Sequence, residues 1–268
     1  MNTGTGERSG PQPANAMAVL LGLGLILASA DLAEGQIPLG DPDPDAVPVL
    51  LVPGWGDQAP DLEPFLIRFI EAGWPQSRVS VLTFRDPVGS NEAHAEEVAR
   101  AVETLQGLTG AERVDVVAHS MGGLAVRQYL QFHGGGEQVR RVVFLGTPHR
   151  GTVAAMLAWG DGGREMVPGS DFLNRLNEGD TLPSTVEALA IRTPVDLRVI
   201  PGSSAMLPGA RNLEICCPTH PGMVDDDDIF RAVVGFLRAD AEQLREADDS
   251  IPVRTPRGER SLRDRFRR

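Results

Sequence analysis

Lysine is missing from this 268-residue chain, so all 25 basic residues are arginine, a bias of composition and not of chemistry. Acidic residues number 37, and the formal net charge of −12 speaks against nucleic acid as a partner. Cysteine is almost as scarce. The two present, Cys216 and Cys217, are neighbours, which excludes a disulfide framework. A bridge between adjacent residues is sterically strained, so free, buried thiols are the expectation, with a vicinal disulfide as the alternative. A long hydrophobic run is also lacking. The longest, Met17–Ala30, is 14 residues, too short to span a bilayer comfortably. It ends in Ala28-Ser29-Ala30, a small-x-small pattern suited to signal peptidase, although only Arg8 precedes it as a positive charge.

These features predict an order along the chain: a signal peptide over 1–30, a Pro/Asp-rich linker over 31–46, one globular domain over 47–247, and a disordered basic tail over 248–268. Secretion follows from the leader, with an uncleaved anchor as the alternative. Apolar residues at 41% are ordinary for a soluble domain, and the length suffices for a substantial core.

Within the domain, apolar strands alternate with amphipathic segments. Strands are predicted at Val47–Val52, Val79–Phe84, Val114–Ala118, Val142–Leu145, Asp196–Ile200 and Leu213–Cys216. Helices are predicted at Asp61–Ala72, Glu92–Leu105, Leu124–Phe132 and Asp227–Arg245. This rhythm specifies an α/β fold, a mostly parallel sheet of about six strands with helices on both faces. Between Thr147 and Thr193 the rhythm breaks, and this stretch is expected to cover the site as a short cap. Ligands of such sheets bind beyond the strand carboxyl ends, where the informative turns fall.

The most informative turn is Val116-Val117-Ala118-His119-Ser120-Met121-Gly122-Gly123. A buried strand runs into a sharp corner with serine at its apex and a helix behind it. Small residues at 118, 122 and 123 admit the close backbone approach that a nucleophile elbow needs. The helix N-terminus beyond it favours a developing anion.

A serine hydroxyl needs a base, and the base needs an orienting group. Of five histidines, His94 and His133 sit on predicted helices, His119 is expected to pack beside the elbow, and His149 could line the pocket. His220 is the only one after the last predicted strand, in the order nucleophile then histidine that suits such folds. The orienting acid is missing where it should stand, because the loop Pro201–Leu207 after the fifth predicted strand holds no carboxylate. Asp196 starts that strand and would lie at the wrong end of the sheet. Substitutes are Asp225–Asp228, Asp161, Asp171 or Asp180, or a neutral hydrogen bond from Ser203 or Ser204. The simpler reading of Asp225–Asp228 is an acidic helix N-terminus. Its spacing matches no calcium loop.

The chain resembles the small secreted lipases of the α/β-hydrolase superfamily, the Bacillus type with alanine before the nucleophile, over Pro48 to Leu237. The resemblance rests on Ala118-His-Ser-Met-Gly-Gly123 and Gly209-Ala-Arg-Asn-Leu-Glu-Ile215. Leu145-Gly-Thr-Pro-His-Arg-Gly151 and Pro168-Gly-Ser-Asp-Phe-Leu173 are similar to segments of larger relatives. It implies the α/β-hydrolase fold, Ser120 as nucleophile, His220 as base, and an oxyanion hole made by the backbone N–H groups of Trp55 and Met121. Where that family has His-Gly after the first strand, this chain has Pro53-Gly54, and a hole built on backbone donors tolerates the change. The implied activity is hydrolysis of lipid or small acyl esters through an acyl-enzyme, without cofactor or metal, with transient lipid-surface contact as a further possibility. Two alternatives share these residues: acyl transfer to another alcohol, and a non-catalytic relative that binds lipid or protein, supported by the missing acid.

Overall fold

The computed structural model describes residues 43–179 and 181–240. The predicted leader, most of the linker and the basic tail lie outside them. Among the described residues no helix is long and apolar enough to cross a membrane.

In chain order the elements are β1 (Val49–Val52), α1 (Ala59–Glu71), β2 (Val79–Val81), α2 (Asn91–Thr109), β3 (Val114–His119), α3 (Gly122–Phe132), α4 (Gly135–Gln138) and β4 (Val139–Leu145), then α5 (Gly160–Glu165), α6 (Asp171–Leu176), β5 (Glu187–Arg192), β6 (Arg211–Glu214) and α7 (Asp227–Arg238). The six strands form one sheet in the order β2-β1-β3-β4-β5-β6. Every pairing is parallel.

The side-chain period of two in each strand sorts this sheet into two apolar faces. Leu50, Val52, Val116, Ala118, Val142 and Phe144 pack under Val98, Val102 and Leu105 of α2 and Val126, Tyr129 and Leu130 of α3. Val49, Leu51, Val117, Val143 and Leu145 pack under Phe65 and Phe69 of α1 and Ile229, Phe230, Val233 and Phe236 of α7. Burial on both faces explains why the central strands read as continuous apolar runs and not as alternation. This is the α/β-hydrolase fold, as expected.

Three local expectations need correction. Asp196–Ile200 is not a strand; the fifth strand is Glu187–Arg192, inside the stretch assigned to the cap. Ala188 and Ala190 join one core face and Leu189 and Ile191 the other, so small residues serve where β5 lies flat against its neighbours. The last helix stops at Arg238, capped at Ala239, short of the predicted Arg245. Cys216 and Cys217 are exposed and joined as a vicinal disulfide across a cis peptide bond, instead of being free and buried.

Candidate active site

The corner after β3 carries Ser120 at φ 53°, the one positive-φ residue other than glycine among the described residues. A left-handed serine costs roughly 1–2 kcal/mol and persists only where its surroundings over-determine it. They do so here. Ser120 N–H donates to Leu145 O at 2.8 Å, fixing the corner to the end of β4. A Cβ at Gly122 would lie 2.2 Å from Pro53 O, and one at Gly123 would lie 2.1 Å from Thr147 Oγ1. The small residues after the serine are therefore demanded by the backbone of β1 on one side and the β4 loop on the other. Ser120 itself stays partly exposed at the sheet edge.

Beside it the loop after β1 runs close. A Cβ at Gly54 would come within 2.9 Å of Ser120 Cβ, so only glycine lets that loop pass the serine. Trp55 follows. Its indole N–H donates to Trp159 O at 3.0 Å, and the two rings meet edge-on at 4.4 Å. Met121 is fully buried at the start of α3. Among the hydrogen bonds of the described residues, the backbone N–H groups of Trp55 and Met121 have no acceptor.

His220 follows β6 and is buried, its ring against Gly146 at the end of β4. Its Nδ1 lies 2.7 Å from Asp196 Oδ2, and both side chains are almost wholly inaccessible. The other carboxylate oxygen of Asp196 accepts from the backbone N–H groups of Arg198 and Val199, each at 2.8 Å. Burial pushes the Asp196 carboxyl up, but the His220 hydrogen bond and charge with the two backbone donors outweigh it, holding it below the usual carboxylate value. Burial is also the main reason the His220 pKa is lowered; the Asp196 hydrogen bond opposes this, while His119 and Arg198 add to the lowering. His220 Nε2 is buried with no partner, and the Ser120 hydroxyl makes no hydrogen bond among the described residues. An unpaired buried nitrogen of this kind is costly and marks a position left for a proton or a ligand.

Sequence reasoning placed Ser120 and His220 at one sheet edge and missed Asp196. The miss follows from the misread strand. With β5 ending at Arg192, Asp196 stands in the loop just past the strand's carboxyl end, on the same edge as Ser120 and not the opposite one. Pro183-Ser184 and Thr193-Pro194 bracket Val186–Ile191, but Glu187, Ala188 and Ala190 leave that stretch without the pattern of a strand.

None of the described substitute acids bonds His220, whose Nδ1 partner is Asp196, and Asp225 is exposed, with its backbone oxygen bonded to Arg68. Asp226 caps α7 through Ile229 N–H, Asp227 pairs with Arg68, Asp228 pairs with Arg231, and Asp161 pairs with Arg164. Asp171 sits in the first turn of α6, and Asp180 lies outside the described residues. Ser204 bonds Gly151 O and the Arg150 N–H, not His220. His149 is fully buried against Phe144, and burial together with Arg127 and Arg150 drives its pKa well below 6.5. His94 stacks on Phe84 and His133 ends α3. No cluster of metal-binding side chains occurs among the described residues. A cavity of about 1370 Å³ lined by Arg150, Arg175, Asn177, Thr181 and Pro208 includes none of Ser120, Asp196 or His220.

Over the site lies the chain from Val153 to Leu176. Its inner side chains Ala155, Met166, Phe172, Leu173 and Leu176 pack on Met121 and Leu124. Its outer ones, Met156, Leu157 and Trp159, are 71%, 88% and 66% exposed.

Residues 47–177 match the family described as alpha/beta hydrolase fold. The structure is similar to mature Bacillus licheniformis lipase BlEst2, at 18% identity and a TM-score of 0.63, over 75% of this chain and 95% of that one. It is also similar to Aspergillus fumigatus lipase B, at 20% identity and a TM-score of 0.61, over 72% of this chain and 53% of that one, so the chain spans about half that protein's length. A metagenome-derived lipolytic enzyme matches at 15% identity and a TM-score of 0.54, over 75% of this chain and 95% of that one. At these identities the likeness establishes the shared fold.

Proposed function

We propose that the protein is a serine carboxylic-ester hydrolase, a lipase or esterase, working through an acyl-enzyme with Ser120 as nucleophile, His220 as base and Asp196 as the acid that orients it. The observation that carries this reading is the buried Asp196 Oδ2–His220 Nδ1 contact of 2.7 Å, which leaves Nε2 unpaired, with the His220 ring against Gly146 and the strained Ser120 tied to the neighbouring Leu145. The Asp196 carboxylate selects the tautomer with hydrogen on Nδ1 and a lone pair on Nε2, the form a general base requires. The lipolytic names of similar structures support an ester substrate.

In this mechanism Ser120 Oγ attacks the ester carbonyl carbon while its proton passes to His220 Nε2. The oxyanion accepts from the Trp55 and Met121 N–H groups. Collapse breaks the ester C–O bond, and the imidazolium gives its proton to the leaving alkoxide. Water, deprotonated by the same nitrogen, then attacks the acyl-enzyme and releases the carboxylic acid, restoring Ser120. Asp196 stabilises the imidazolium without taking its proton.

A non-catalytic role drew its support from an absent acid, and Asp196 removes that support. The test is hydrolysis of p-nitrophenyl esters from acetate to palmitate by the protein and by Ser120→Ala. Turnover should vanish in the variant, and the chain-length profile should separate esterase from lipase. Full turnover in Ser120→Ala would overturn the assignment.

A further inference from the structure

His119, the residue before the nucleophile, does more than fill space. Its ring is buried at the end of β3. Nε2 lies 3.1 Å from the backbone oxygen of His220, and Nδ1 lies 3.5 Å from Asp57 Oδ2. The His119 and His220 rings are 4.8 Å apart and tilted at 41°. Asp57 belongs to the loop after β1, two residues past Trp55, and that loop folds back on itself through Asp57 N–H to Gly54 O at 3.3 Å. One imidazole thus touches all three segments of the site: the nucleophile strand that carries it, the loop holding the Trp55 N–H, and the loop holding the base.

From this arrangement we infer that His119 and Asp57 form a positioning pair that straps the oxyanion loop and the His220 loop to the nucleophile strand. The inference rests on the hydrolase reading above. Carbonyl and carboxylate oxygens only accept, so the ring donates from Nε2 to His220 O and turns Nδ1 toward the Asp57 carboxylate. The charged groups facing His220 are Asp196 on Nδ1 and Asp57 from the loop after β1, with Arg198 acting on both His220 and Asp57. Burial raises the Asp57 carboxyl, but His119, with Arg198 and His220, holds it lowered, consistent with a carboxylate serving His119. A 1 Å displacement of a reacting group can cost on the order of a hundredfold in rate, so loosening this strap should reduce kcat more than it raises KM.

The experiment compares kcat and KM of His119→Gln, His119→Leu and Asp57→Asn with the parent on one p-nitrophenyl ester. Removing the ring or the carboxylate should lower kcat severalfold in all three variants while KM changes by less than about twofold, the split expected of a loosened strap. His119→Gln, which keeps a donor for His220 O, should retain several-fold more kcat than His119→Leu at similar KM. Thermal melts and fluorophosphonate labelling of Ser120 identify any variant that fails to fold. An unchanged kcat in folded Asp57→Asn and His119→Leu, or a loss carried by KM alone, would overturn the inference. A parent enzyme without Ser120-dependent turnover would overturn the hydrolase reading instead, so the two failures are distinguishable.

Discussion

The edge of the sheet and the segment covering it are built by opposite rules. At the edge the groups around the base are tied down: both carboxylate oxygens of Asp196, Nδ1 of His220, both ring nitrogens of His119 and the Ser120 N–H all have neighbours of opposite polarity. Left open among the reacting groups are the Ser120 hydroxyl, His220 Nε2 and two backbone N–H groups, while Thr147, His149 and Thr193 behind them also keep unpaired side-chain atoms. In the covering segment the backbone is anchored through a few inner apolar side chains, while Met156, Leu157 and Trp159 face outward. Chemistry is therefore fixed by strand ends that cannot shift without breaking several contacts. In the hydrolase proposed above, choice of substrate would fall to a segment whose outer side chains carry little of the packing.

That contrast predicts unequal responses to mutation. The largest effect should come from Asp196→Asn. Losing the acid in a serine triad costs about 10⁴-fold in kcat in the protease case, through the wrong imidazole tautomer, and a loss of that order is expected in steady-state kinetics here. A loss under tenfold would show that the edge is less committed than its hydrogen bonds imply.

Next comes the anchor between the two regions. Arg127 of α3 is fully buried and donates to Leu176 O at 2.8 Å, Asn177 Oδ1 at 3.0 Å and Thr181 O at 3.4 Å, closing the end of α6. Burial lowers its pKa to about 9. Arg127→Ala removes a costly desolvated charge but leaves Asn177 Oδ1 bare and only Gln131 Nε2 to serve Leu176 O and Thr181 O, so a net loss of about 1–3 kcal/mol should appear in denaturant unfolding. Unchanged stability would mean that the covering segment needs no such tether.

The pH dependence should be moderate. Because the His220 pKa is lowered, the neutral base persists below pH 6.5, and the acid limb of kcat/KM should lie under that value. The lowered Asp196 pKa adds stability that is complete above the carboxyl's unfolded value and is lost as pH falls through the folded one. Histidine lowered by burial acts in the same sense, since the unfolded chain binds its proton more readily. Unfolding monitored from pH 7 down to pH 3 should therefore show stability falling continuously, and a rise would contradict the buried pair.

The smallest effect belongs to the outer covering residues. Met156→Ser with Leu157→Ser should change stability by less than about 1 kcal/mol, since surface substitutions away from packed features are small. The same change should reduce kcat/KM for palmitoyl esters several-fold and leave acetate nearly untouched, as each methylene lost from an apolar contact is worth about 0.8 kcal/mol.

The two regions also differed in how well the sequence revealed them. The elbow was legible because collisions with Pro53 O at 122 and with the Thr147 side chain at 123 permit only glycine, and that demand is written in two consecutive positions just after the serine. His220 was legible by chain order. Asp196 was hidden because Asp196-Leu-Arg-Val-Ile200 mimics an apolar strand, whereas the true strand carries Ala188 and Ala190 and is weak in β-branched residues. Sheet neighbours decide that assignment, through pairing of Ala188–Ile191 with Val142–Leu145, and no local pattern contains it. The vicinal disulfide was weighed against free thiols on sterics alone, and local spacing does not choose between them. His119 was expected only to pack, because its partners are 101 residues away at His220 and in the separate loop holding Asp57.

The central claim is that Ser120, His220 and Asp196 act as one unit. It is tested most directly by fluorophosphonate labelling kinetics of the wild type, Asp196→Asn and Asp226→Asn, with the adduct located by mass spectrometry. The account predicts an adduct on Ser120, labelling slowed by roughly three to four powers of ten in Asp196→Asn, and no slowing in Asp226→Asn. Label on another serine, or equal rates for wild type and Asp196→Asn, would contradict it.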